Sequence, residues 1–231
     1  MNLPAEGTPD TRQRLLYAAV IAFADKGFTG ASIREIAQKA QANSALVNYY
    51  FGGKEGLYEA ALGFLFDHPD NAVHALPCPP KPGEPEAFAR AVLHLDTYIR
   101  SFLAEVCGAG GKHACITEEF HRAAHLFWTR ELMDPAPERM PLIQKHIQPY
   151  VDHVAACIQV LRPDLDVEDT QLMTCSINAQ IVFHHMHRTT IAAFRGKPYG
   201  PEDLDHVADH ITRFSLRGLG IADALPVRPS R

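Results

Sequence analysis

Ser32 to Phe51, SIREIAQKAQANSALVNYYF, contains two short helical patterns on either side of a three-residue break. Ser32 and Glu35 stand at the spacing of a capping box, in which hydroxyl and carboxylate satisfy free amides at a helix start. Ile33, Ile36, Ala37 and Ala40 then follow at i, i+3, i+4 and i+7, which gives one apolar face. Asn43 is a favoured N-cap for a second helix that turns Leu46, Val47, Tyr50 and Phe51 inward and leaves Ser44, Ala45, Asn48 and Tyr49 outward. That outward face is small and amide-bearing, with no acid. Such a face fits a major groove, where an Asn can pair bidentately with adenine. A helical hairpin that only fills a core has the same outline, so the pattern needs the rest of the chain.

Working back, Thr8 and Pro9 suit an N-cap and first helical position, and Leu16, Ala19, Val20 and Phe23 form a stripe that Gly27 ends. Arg12 and Arg14 near this start can reach phosphate, or can be a solvated surface. Working forward, Gly52-Gly53 breaks the chain and Lys54 opens a helix with Leu57, Tyr58, Ala61, Leu62 and Leu65 inward. Lys54 beside free amides can hold a phosphate. Six prolines between His68 and Pro85 exclude continuous helix there.

A second region begins near Glu86. Phe88, Val92, Leu95, Ile99, Phe102 and Val106 predict a long packed helix that ends at the glycines from Gly108 to Gly111. Further helices are expected over about His113 to Leu132, Pro141 to Leu161 with a bend at Pro149, Val167 to Phe194, and Pro201 to Leu219. No segment reads as a strand. The expected architecture is all-α with about nine helices.

The 231 residues suffice for one large domain or two small ones. No apolar run approaches the roughly 20 residues that span a bilayer, and the N-terminus lacks the pattern of a signal peptide, so a cytoplasmic protein without a membrane partner is expected. Cys78, Cys107, Cys115, Cys157 and Cys175 are odd in number and scattered, as for reduced thiols. The net charge of −5 is unevenly placed. Residues 1–65 hold six Lys/Arg and six Asp/Glu, and the remainder holds 16 against 21. A neutral head on an acidic body is compatible with DNA binding through the head.

Residues 11–62, TRQRLLYAAVIAFADKGFTGASIREIAQKAQANSALVNYYFGGKEGLYEAAL, resemble the DNA-binding domain of TetR-type transcriptional regulators. VNYYFGGKEGLY, TRELMDPAP, the QPY segment, INAQIVFHHMHR and HITRFSLRGLG are similar to the CecR-like branch. The resemblance implies a TetR-type helix-turn-helix DNA-binding domain over 1–53 and a helical effector-binding and dimerisation domain over 54–231. It also implies a homodimer that acts as a repressor on a double-stranded DNA operator and is released by a small-molecule effector. Two departures stand out. The turn reads Ala40-Gln41-Ala42 where relatives carry Ala-Gly-Val, so a Cβ occupies a place suited to glycine. Asn48 stands where many relatives carry Tyr.

The DNA-contact candidates are Arg12, Arg14, Ser32, Asn43, Ser44, Ala45, Asn48, Tyr49, Tyr50 and Lys54. Phe102, Phe120, His121, Phe127, Trp128, His153, Gln180, Phe183 and His184 are candidates to line an effector cavity, as aromatic surface with a few polar anchors; core packing is the alternative for each. Of the 13 histidines, His121 and His125 lie at i, i+4, and His184, His185 and His187 cluster. A metal-responsive regulator using such histidines is the alternative function, although no third ligand stands at a recognisable spacing, and no metal site is assigned. No cofactor is expected, and no nucleophile elbow, phosphate loop or catalytic Cys motif is present, so no enzyme is expected. Leu172, Cys175, Ala179, Val182 and Met186, with Leu204, Val207, Ile211 and Phe214, give faces suited to pairing with a second copy.

Overall fold

The computed structural model describes residues 10–66, 76–107, 118–133 and 135–221, without the side chains of Phe66, Glu118, His121, His125, Leu132 and Pro201. The described residues form ten α-helices and a 3₁₀ turn at Pro137–Arg139, with no strand among them. The helices are α1 (Thr11–Gly30), α2 (Ile33–Lys39), α3 (Ala45–Phe51), α4 (Lys54–Phe66), α5 (Ala87–Val106), α6 (Glu118–Met133), α7 (Met140–Leu161), α8 (Val167–Met186), α9 (Arg188–Arg195) and α10 (Pro201–Gly218). The tenth arises because the single helix expected from Val167 to Phe194 is broken at His187 (φ −104°, ψ 16°). No side chain of α9 is buried, so no packing holds it in line with α8. Pro149 lies inside α7, which runs through it.

Contacts group the chain into two units, Met1–His68 with Lys112–His146, and Pro69–Gly111 with Ile147–Arg231. In the first, α1 packs against α2, α4 and α6, and α3 against α4. The expected α1 stripe of Leu16, Ala19, Val20 and Phe23 is buried. Asp10 caps α1 by accepting from the Gln13 amide at 2.7 Å; Thr8 and Pro9 lie outside the described residues. Gly27 ends the regular part of α1, with φ 68° and ψ 179°, a region open almost only to glycine.

In the second unit, α5, α7, α8 and α10 enclose one core that includes Leu95, Tyr98, Ile99, Val154, Ile158, Ile181 and Ile211. Phe88, expected inside, is 44% exposed; Ala87 and Ala91 occupy the buried side of that first turn instead. Tyr98 donates to Asn178 Oδ1 at 2.5 Å. Asp96, 3% exposed, accepts from Arg100 Nε at 3.0 Å and from Thr212 Oγ1 at 3.0 Å, which ties α5 to α10. Arg100 also donates to Asp209 and Asp205 of α10.

Candidate nucleic-acid interface and helical body

Ser32 Oγ accepts from the Glu35 amide at 3.2 Å and so caps α2. The reciprocal half of the expected box is not formed: Glu35 accepts from Lys26 Nζ at 2.6 Å. At the far end, the Ala42 amide donates to the Ala37 carbonyl and the Gln41 amide to Gln38, the closing turn of a Schellman-type stop. Its left-handed residue is Gln41 at φ 51°, where the sequence departs from glycine. A side chain there costs about 1–2 kcal/mol. Gln41→Gly is therefore expected to raise stability, by about 0.5–1 kcal/mol after glycine's greater freedom in the unfolded chain is offset, read as a higher midpoint in urea.

Asn43 Oδ1 accepts from the Ala45 amide at 2.9 Å and covers the start of α3. Val47 is fully buried, while Ser44, Ala45, Asn48 and Tyr49 are exposed, Tyr49 by 79%. Tyr50, expected inward, is 39% exposed and packs edge-on between Tyr49 and Phe51. A helix of seven residues has only two turns, and here it buries a single side chain. Gly52, at φ 74°, stops α3.

The three basic candidates each have a protein partner. Arg12 lies over the Phe51 ring at 5.3 Å and is exposed. Arg14 donates from Nε to the Ala40 carbonyl at 3.1 Å, which fixes α1 to the end of α2. Lys54 Nζ donates to the Thr29 carbonyl at 3.3 Å and lies 4.8 Å from the Phe28 ring centre. The ammonium uses one of its three donors there.

Two residues of this unit escaped the sequence reading. An added Cβ at Gly56 of α4 would lie 1.9 Å from the Phe51 carbonyl oxygen, so the α3–α4 junction closes only over glycine. A glycine two residues inside a predicted helix was the available signal, since it weakens a helix unless something approaches it closely. The other is Glu131, 2% exposed, which accepts from Tyr58 and from Arg139 Nε at 2.8 Å. Burial and this carboxylate hold the Tyr58 phenol above its ordinary pKa.

The nine effector candidates fall in three settings. Phe120 and Phe127 belong to the core of the first unit: Phe120 meets Tyr17 at 4.9 Å and Phe127 meets Tyr58 at 5.0 Å. Trp128 is half-buried on the same helix, and the side chains of His121 and His125 lie outside the described residues. Phe102 and His153 belong to the α5–α7 layer, where the His153 ring stacks between His94 (5.9 Å) and Tyr98 (5.5 Å). Burial, with His94 beside it, pushes the His153 imidazole down to about 4, so it is neutral at neutral pH. Gln180, Phe183 and His184 line an open cleft of about 440 Å³ with Ala179, His210, Ile211 and Phe214. His184 Nδ1 pairs with the Tyr199 hydroxyl at 2.8 Å. No three metal-ligating side chains converge among the described residues.

Of the faces expected to meet a second copy, Leu172, Cys175, Ala179 and Phe214 are exposed, Leu172 and Phe214 by 60% each. Leu204 and Ile211 are instead buried in the core of their own unit. On α10 the stripe from Leu204 to Ile211 is used up in closing the α5–α8–α10 core. No described helix is long and apolar enough to cross a membrane.

A helix-turn-helix with an exposed second helix, joined to a separate helical body, is the build of a bacterial DNA-binding transcriptional regulator. Residues 15–61 match the bacterial regulatory proteins of the tetR family, and residues 93–219 match the C-terminal domain of the HTH-type transcriptional dual regulator CecR. The chain belongs to the TetR family, in the branch that carries this CecR C-terminal domain. The HTH-type transcriptional repressor NicS of Pseudomonas putida is 26% identical over 222 residues, covering 93% of this chain and 95% of that protein. A TetR-like regulator from Rhodococcus sp. RHA1 shares the fold with a TM-score of 0.62 at 18% identity, over 93% of this chain and 99% of that one. AibR, solved in complex with isovaleryl coenzyme A and operator DNA, shares it with a TM-score of 0.58 at 15% identity, over 89% and 97% of the two chains.

Proposed function

We propose that this regulator is a cytoplasmic, dimeric repressor that leaves a palindromic operator when a small-molecule effector binds. Residues 1–53 read the DNA, and residues 54–231 carry the effector and the dimer contact. The observation that carries this reading is the outward face of α3: Ser44, Ala45, Asn48 and Tyr49 are exposed and free of acid, on a helix held by Val47 below and Asn43 at its start. Exposed Leu172, Cys175, Ala179 and Phe214 support pairing through α8 and α10. The complex of AibR with both an acyl coenzyme A and operator DNA supports an organic effector for a protein of this fold.

Asn48→Ala is expected to reduce discrimination between the operator and an operator altered at one base pair, by about 1–3 kcal/mol at that position. Lys54→Ala is expected to weaken binding to all sequences alike and to lower the slope of log affinity against log salt by about one. Titration of labelled duplexes by fluorescence anisotropy at several salt concentrations reads both. Wild-type affinity, discrimination and salt slope retained in both variants would overturn the assignment.

A further inference from the structure

Glu131 brings together three elements of the first unit. Oε1 accepts from the Tyr58 hydroxyl of α4, and Oε2 accepts from Arg139 Nε at 2.8 Å. Arg139 Nη2 also reaches Oε1 at 3.4 Å, and the guanidinium lies 4.8 Å from the centre of the Tyr58 ring. Tyr58 in turn meets Phe23 of α1 at 4.7 Å, Phe28 at 5.2 Å and Phe127 of α6 at 5.0 Å. A leucine in place of this acid would pack among those rings at no desolvation cost, so stability alone does not account for a buried carboxylate here. Ring contacts tolerate sliding, whereas hydrogen bonds of a shared carboxylate fix direction. What the trio adds is a defined orientation of α4 on α6.

That orientation reaches the DNA-reading face directly. Helix α4 meets α3 across Gly52-Gly53, with Gly56 against the Phe51 carbonyl, so the two helices move together. Arg139 is the residue before Met140, where α7 starts, so its contact with Glu131 links that helix start to the trio.

We propose that Glu131 is a positioning residue for operator reading: through Tyr58 it fixes how α4 lies on α6, and so the separation at which two α3 helices of a dimer meet their half-sites. The proposal rests on the reading of the chain as a dimeric operator-binding regulator. It is tested with the full-length protein on the palindrome that the wild type selects from random duplex DNA, and on versions with one base pair added to or removed from its centre. Wild type is expected to lose about tenfold or more in affinity on either altered spacing. Tyr58→Phe, which keeps the ring, and Glu131→Gln, which keeps the shape, are expected to lose no more than about threefold between spacings, with the double variant matching the single ones. Variants that lose affinity by one common factor on all three duplexes, with the wild-type spacing profile intact, overturn the proposal. If Glu131→Gln melts below the assay temperature, Tyr58→Phe alone decides. Failure of the wild type to select any palindrome overturns the dimeric operator-binding reading and this proposal with it.

Discussion

Gly56→Ala is expected to remove operator binding, with a loss of about a hundredfold or more, while α5, α8 and α10 stay folded. The added Cβ would sit 1.9 Å from the Phe51 carbonyl oxygen, far inside contact distance, and the obstacle is backbone. Either the last turn of α3 or the first turn of α4 must then give way. Overpacking of this kind costs about 1–3 kcal/mol or more in stability. The larger effect falls on binding, because α3 would no longer present Asn48 and Tyr49 from the same position, and small misplacements remove bidentate base contacts. Anisotropy titration measures the loss, and circular dichroism checks that helix content is kept. Binding within threefold of wild type would show that the α3–α4 junction has slack that the structure does not display.

Arg100→Leu is expected to lower the stability of the second unit by about 3–5 kcal/mol. Asp96 is 3% exposed, and Arg100 is a charged partner that grips both carboxylate oxygens at 3.0 and 3.2 Å. Removing the guanidinium takes a charged donor from both oxygens of a buried carboxylate, while Thr212 Oγ1 still donates to Oδ1. Arg100 also carries the links to Asp205 and Asp209, so in the same step α10 loses these charged ties to α5 and keeps the Thr212–Asp96 hydrogen bond. Urea unfolding followed by circular dichroism should show the midpoint fall without a change in slope. Arg100→Leu combined with Asp96→Leu should recover part of the loss, since the second change removes the buried carboxylate as well. A double variant less stable than Arg100→Leu would contradict this account.

The local features were legible because they depend on neighbours in sequence. The Ser32 cap and the exposed run Ser44, Ala45, Asn48 and Tyr49 follow from spacing, and Gln41, which stands where the resemblance implies a glycine, takes the left-handed conformation. Most helix bounds also follow, α4 and α10 starting at Lys54 and Pro201 as expected. Periodicity names an apolar face but not what covers it. Leu204 and Ile211 therefore read as a surface for a second copy although they close their own core, and Phe120 and Phe127 read as cavity lining although they pack against Tyr17 and Tyr58. The Tyr58–Glu131 contact spans 73 residues, and no local pattern announces a pairing of that length. Gly56 is nearer to legible: its partner is only five residues away, but the pattern suggested an ordinary helix start.

The pairing of α6 with α1 and α4 also sets a timetable. The aromatic core beneath the reading helices contains Phe127, and that residue leaves the ribosome well after Phe23 and Tyr58. Some fifty residues separate the end of α4 at Phe66 from the start of α6 at Glu118, which at bacterial rates of elongation amounts to roughly 3–10 s. Through that interval α1 and α4 have no α6 to pack against. The core under the helix-turn-helix is thus complete only once α6 has been made, although α1 to α4 are the first of the described helices to be synthesised.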